Sequence, residues 1–163
     1  MPEIDAASML IRFWRLHGAP VSPPVSDQNI RKFQRDYDVV LPEDFRNYLL
    51  SANGTVSDLD YQDHNGFAFW PIERICPVYQ FDGGQFSQPE FDRCFLFADL
   101  LDFCFGYGIQ LSSKPGQNSI LLVGDKDDRP LRVAHSFTEF VQYYVADSPV
   151  LYSGQQGESE SRR

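Results

Sequence analysis

Three histidines, three cysteines and two knots of acidic residues are the side chains that chemistry would call on first in this sequence. His17, His64 and His135 are far apart along the chain. A Ser-His-Asp or Cys-His triad assembles in space, so sequence order does not decide against one. No G-x-S-x-G elbow or comparable local signature accompanies any of them. Each also has a plainer reading. His17 ends an amphipathic stretch, where a cation suits the negative end of a helix dipole. His64 falls in a polar loop, and His135 stands between a strand and a helix.

The acidic knots raise the question of a metal. DLDYQDHNG offers Asp58, Asp60, Asp63 and His64, but a calcium loop needs glycine at its sixth position and glutamate at its twelfth, and neither is there. Asp125, Asp127 and Asp128 crowd a hairpin turn, where aspartate is common for conformational reasons. Solvated loop acids explain both, and no metal or other cofactor is expected. Cys76, Cys94 and Cys104 are odd in number and form no C-x-x-C pair, which disfavours a disulfide framework and a structural zinc site. With Phe103 and Phe105 beside Cys104, the cysteines read as small buried hydrophobes. Gly106-Tyr107-Gly108 lacks the third glycine of a dinucleotide loop and lies inside a strand pattern, so a bulge or close backbone approach explains it better.

The elements that must position these residues are well marked. AASMLIRFWRLH places Leu10, Phe13, Trp14 and His17 at helical spacing. APVSPPVS breaks the chain with three prolines. SDQNIRKFQRDYD gives a second helix with Ile30, Phe33 and Tyr37 on one face and Ser26 or Asp27 as cap. LPEDFRNYLLSANG is a third, with Pro42 at its first position, Glu43 and Asp44 in the first turn, and Asn53-Gly54 at its end. GFAFWPIERI then reads as a strand ending at Pro71, and 76–94 is irregular. FLFADLL, CFGYGIQLS, SILLVGD and PLRVAHS are four candidate strands joined by hairpin loops. Ser136-Phe137-Thr138-Glu139 is a capping box that opens a last helix through Val145. The order predicts one α+β domain: N-terminal helices, an antiparallel sheet meander and a closing C-terminal helix. It is expected to span residues 1–152, with a disordered tail over 153–163.

Composition fits that picture. The 163 residues include 14 Phe and 8 Tyr, so a packed core is expected without staples. MPEIDAASMLIRFWRLHG has acids before its apolar positions, unlike a signal peptide, and no run of ~18 apolar residues occurs. A cytoplasmic protein is expected. The net charge is −9, of which residues 54–163 carry −8. Direct nucleic-acid binding needs a basic footprint and is disfavoured; an acidic surface speeds encounter with basic partners. The stretch 58–102 holds nine acids and two arginines among many aromatics. Exposed aromatics rimmed by acids form binding surfaces.

Four motifs in sequence carry a resemblance to a known family. LPEDFRNYLLSANG resembles the helix ending in Asn-Gly that marks the SMI1/KNR4 superfamily, also called SUKH. FWPIERI is similar to its aromatic-plus-proline strand, FLFADLLDFCFGYGIQLS to its Phe-Ala-Asp element and following strand, and VAHSFTEFVQYYV to its closing helix. The resemblance covers residues 27 to about 146, with the motifs in the family's order. Thr55 stands where members often carry a second glycine, and the loop from Ile75 to Phe95 follows no family pattern. The resemblance implies a non-enzymatic role. Bacterial members are largely immunity proteins that neutralise toxins, many of them nucleases; fungal members act in cell-wall synthesis and signalling.

The expectation is therefore an immunity protein that masks the active face of a cognate, basic toxin domain. The alternative is a regulatory scaffold that binds a host protein or small ligand. The partner-binding residues expected from the acidic and aromatic stretch are Asp58, Asp60, Tyr61, Asp63, Asp82, Phe86, Glu90 and Asp92. No catalytic residue, cofactor, nucleic-acid contact or membrane contact is expected, and the sequence leaves the oligomeric state open.

Overall fold

In the computed structural model, residues 4–55, 62–82, 88–124 and 131–153 are described. Three helices come first: α1 (Ala6–Leu16), α2 (Asp27–Tyr37) and α3 (Glu43–Ser51). Asp5 caps α1 by accepting the Ser8 N–H at 2.8 Å, and Ser26 caps α2 by accepting the Asn29 N–H at 3.1 Å. These side chains satisfy donors that a helix start leaves orphaned. Pro42 sits one position earlier than expected, as the N-cap of α3. Beyond α3 the chain makes a tight join to the sheet. Asn53 Oδ1 accepts the Ile72 N–H at 2.7 Å, and Gly54 has φ +76°. A Cβ at Gly54 would collide with the Phe69 carbonyl, so glycine is required by contact as well as by conformation.

The sheet has six antiparallel strands: β1 (Phe67–Phe69), β2 (Cys76–Pro77), β3 (Cys94–Leu100), β4 (Phe105–Gln110), β5 (Ile120–Val123) and β6 (Leu131–Ala134). Its order is β1-β3-β4-β5-β6, with β2 pairing β3 alongside β1. The four expected strands from FLFADLL onward are all present, and 76–94 is less irregular than expected. Besides β2 it forms a short helix, α4 (Val78–Asp82), and a 3-10 turn over Pro89–Phe91. The chain closes with α5 (Phe137–Val145) and a short α6 (Val150–Ser153). The protein is thus a single α+β domain with N-terminal helices, an antiparallel sheet and C-terminal helices. Most of the expected tail, and the loop of Asp125, Asp127 and Asp128, lie outside the described residues.

Strand alternation separates two faces. Phe67 and Phe69 of β1 face the helices, where Phe69 packs edge-on against Trp14 and Tyr144 at 5.1 and 5.0 Å. Phe97 of β3 joins them, with its ring 5.7 Å from Phe45 and 5.3 Å from Phe140. Trp70 turns to the other face. There, β4 presents Gly106 and Gly108, and a Cβ at Gly108 would collide with Cys94 Sγ. The close approach expected for Gly-Tyr-Gly is therefore real: Cys94 is buried against the bare backbone, and burial pushes its thiol pKa up. Cys76 is half-buried and Cys104 is exposed, unlike the buried cysteines expected. Cys104 ends a turn that carries it outward despite its aromatic neighbours.

Edge strands expose unpaired backbone groups that invite pairing with other chains. The outer edge of β1 is closed from within the chain. Thr55 Oγ1 accepts the Phe69 N–H, and the Thr55 N–H donates to the Phe69 carbonyl, both at 3.0 Å. Asp63 does the same for Phe67: its carboxylate accepts the Phe67 N–H at 3.0 Å, and its own N–H donates to the Phe67 carbonyl at 2.8 Å.

Candidate functional site

Asp63 departs from the expected surface role. It is 9% exposed, and its carboxylate also receives the Asn65 N–H at 2.8 Å and the hydroxyl of Tyr144. Tyr144 in turn accepts the Trp14 indole N–H at 3.2 Å. A carboxylate with this many partners serves the join of β1 to α5 and α1. Glu90 and Asp92 are exposed, in and just after the 3-10 turn, beside a surface groove with Arg93, Gln110 and Gln117. Asp82 ends α4, and its side chain is outside the described residues, as are Asp58, Asp60, Tyr61 and Phe86.

Asp63 stands by the Leu100 end of β3, whereas Asp92 stands by the Cys94 end. At ~3.3 Å per residue the two ends are roughly 20 Å apart. Among the described members of the expected set, Asp63 is therefore well separated along the strand from Asp92.

The histidines divide. His17, beyond the last turn of α1, stacks on His64 with ring centroids 4.4 Å apart and planes at 18°. Both rings are exposed, with Phe13 4.3 Å from His17. His135 lies elsewhere, where its backbone N–H donates to Glu139 Oε1 at 3.3 Å. The capping box thus reaches back to residue 135 rather than to Ser136. A surface groove of about 670 Å³ between the starts of α1, α3 and α5 is lined by Asp5, Met9, Glu43 and Asp44 among others, and by none of the histidines. Among the described residues, no group of three or more His, Cys, Asp or Glu is placed to hold a metal ion.

The sequence reading missed a constellation on the face of the sheet turned away from the long helices. Trp70 donates its indole N–H to Asp99 Oδ2 at 2.7 Å, and Asp99 Oδ1 accepts the Phe103 N–H at 3.2 Å. Burial raises the Asp99 pKa, opposed by these two hydrogen bonds and by Arg74. The Arg74 guanidinium lies over the Trp70 ring, 4.3 Å from its centroid. Phe81 of α4 stacks on Phe103 at 4.4 Å and approaches Trp70 at 5.5 Å. Tyr79 and Phe81 remain 52% and 43% exposed. One signal was present: an aspartate inside the apolar run FLFADL requires hydrogen-bond partners if the strand is buried on both faces.

The turn that follows is strained. Leu101, Asp102 and Phe103 have φ of 53°, 54° and 63°, three consecutive non-glycine residues in the left-handed region. Leu101 and Phe103 each pay about 1–2 kcal/mol for it. Three hydrogen bonds hold the turn: the Leu101 N–H to the Gly66 carbonyl at 2.8 Å, the Phe103 N–H to Asp99, and the Cys104 N–H to the Leu101 carbonyl at 3.2 Å.

These features define a small α+β domain whose long helices pack one sheet face and whose other face carries a half-exposed aromatic shelf beside acidic side chains. The chain belongs to the SMI1/KNR4 family (SUKH-1), whose family model matches residues 24–143. That range includes the third helix, the Phe-Ala-Asp strand and most of the closing helix on which the resemblance was read. No curated protein matches the chain. Among the described residues, no helix is long and apolar enough to cross a membrane.

Proposed function

We propose that this chain is a cytoplasmic immunity protein that neutralises a cognate bacterial toxin by binding, without catalysis, and covering the toxin's basic active face. Membership of the SMI1/KNR4 family supports a protein partner. The observation that carries the reading is the position of Phe81, an exposed aromatic on α4 braced from behind by Trp70 and Phe103, with Tyr79 exposed beside it, within a stretch of net charge −7 over residues 58–102. Braced aromatics lose little freedom on binding and act as anchors, while the acids steer a cationic partner. A nuclease is one such partner, because it must present a basic face to nucleic acid. The contact residues in this reading are Tyr79 and Phe81 together with Asp58, Asp60, Tyr61, Asp82, Phe86, Glu90 and Asp92; Asp63 is left out because its carboxylate points into the fold.

Co-expression tests the reading. The chain is produced together with individual toxin domains from the same organism, and survivors are counted. Rescue from one domain supports immunity. Failure to rescue from any, by a folded protein, would favour the regulatory scaffold.

A further inference from the structure

The strained turn between β3 and β4 has a feature that the fold does not require. Where this chain needs a left-handed backbone it uses glycine at Gly54 and Gly66, or a lone aspartate at Asp38 and Asp147. Glycine pays no steric cost there and aspartate tolerates the conformation, whereas leucine does not. Phe103 has an architectural reason to be where it is. Its ring folds over the bare backbone of β4, so that a Cβ at Gly106 would sit 2.7 Å from it, and it stacks on Phe81. Leu101 has only half such a reason. One side of it packs over Gly66, where a Cβ would lie 2.6 Å from Leu101 Cδ2, yet the residue is 52% exposed. Asp102, next to it at the tip, is exposed as well.

We infer that this turn is the anchor of the partner interface, with Leu101 inserting into an apolar hollow of a cationic protein face while Asp102 meets its rim charge. This deepens the binding role proposed above and rests on it. Strain held at a position that points outward is the signature of a preorganised contact. The seating of Leu101 on Gly66 and the clamp from Asp99 fix the side chain's direction before binding, which lowers the entropic cost of association. The occupant follows from charge. The turn lies in a stretch with a balance of −7, and Glu73 and Asp102 are both exposed on it. A second copy of this chain, also at −9, is repelled.

The test uses the full chain and the toxin domain from which the wild type rescues cells. Leu101→Gly removes both the anchor and its backbone strain, so it is expected to melt at or above the wild-type temperature while its Kd for that domain rises about 30-fold or more. Leu101→Asn, which keeps a side chain that tolerates the left-handed region, is expected to behave likewise. Leu16→Ala, at an exposed site on α1, serves as the control and leaves Kd unchanged. Asp102→Asn is expected to slow association and flatten its salt dependence. A folded Leu101→Gly that binds within about threefold of wild type overturns the anchor and leaves the immunity reading standing. Absence of rescue by the wild type from every domain overturns both.

Discussion

The Asp63 carboxylate takes the phenolic hydrogen of Tyr144, 81 residues further along the chain, and with its other oxygen holds the backbone of β1. One side chain therefore closes a sheet edge and ties it to the closing helix. Asp63→Ala leaves the Phe67 and Asn65 N–H groups and the Tyr144 hydroxyl without their acceptor. Buried hydrogen bonds to a charged group contribute about 1.5–3 kcal/mol each and Asp63 accepts three, so a loss of at least ~3 kcal/mol is expected. Asp63→Asn keeps one acceptor oxygen and should cost less. Urea unfolding measures both; an alanine variant within about 0.5 kcal/mol of wild type would remove the edge-closing role.

Asp99 gives a pH signature. Its folded-state pKa is raised, chiefly by burial, so the folded protein holds this proton to higher pH than the unfolded chain does. Its contribution to stability is therefore fully present below the unfolded carboxylate value of about 3.9 and is lost as pH rises through the folded value. Urea unfolding across this acid range should show a falling component in the wild type that is absent in Asp99→Asn. The variant also loses one acceptor, because Trp70 and Phe103 donate to different oxygens. Parallel pH profiles for the two proteins would contradict the assignment.

Gly108 and Cys94 form a coupled pair. Gly108→Ala puts a methyl group into Cys94 Sγ, an overpacking that typically costs about 1–3 kcal/mol. Cys94→Ala alone opens a cavity and is destabilising too. The double variant fills much of that cavity with the new methyl, so its loss should be smaller than the sum of the two. A double-mutant cycle with additive effects would show that the sulfur and the glycine do not share the space.

These residues also show what the sequence could and could not convey. Capped helices and long strands were legible, because Ser26, Ser136 and the apolar run in FLFADLL are local signals. The segment 76–94 was not, since β2 has two residues and α4 five, too short for either periodicity to develop. Asp63 and Asp99 were hidden for a different reason. The role of a buried aspartate depends on its partners, and those of Asp63 and Asp99 include Tyr144 and Trp70, distant in sequence. The stacking of His17 on His64 is non-local in the same way. Left-handed residues at Leu101 and Phe103 leave no signature at all, because their types argue against the conformation they adopt.

The breadth of the partner's footprint is open to a kinetic test. The acidic residues Glu90 and Asp92 and the aromatic Phe81 mark two ends of the proposed footprint: the acids lie in and just after the 3-10 turn, and Phe81 packs on Trp70 and Phe103. A standard interface buries about 800 Å² per partner, a patch roughly 30 Å across, so one toxin face can cover both ends. The two ends should then act on different rates. Glu90→Gln with Asp92→Asn removes rim charge, which should slow association several-fold at low salt and leave dissociation nearly unchanged. Phe81→Ala removes a braced aromatic and should speed dissociation by tenfold or more while association holds. Stopped-flow association and chase dissociation against the rescued toxin domain separate the two. Should the charge variant match wild type across a salt series while Phe81→Ala still weakens binding, the footprint ends short of the 3-10 turn and is confined to the aromatic shelf.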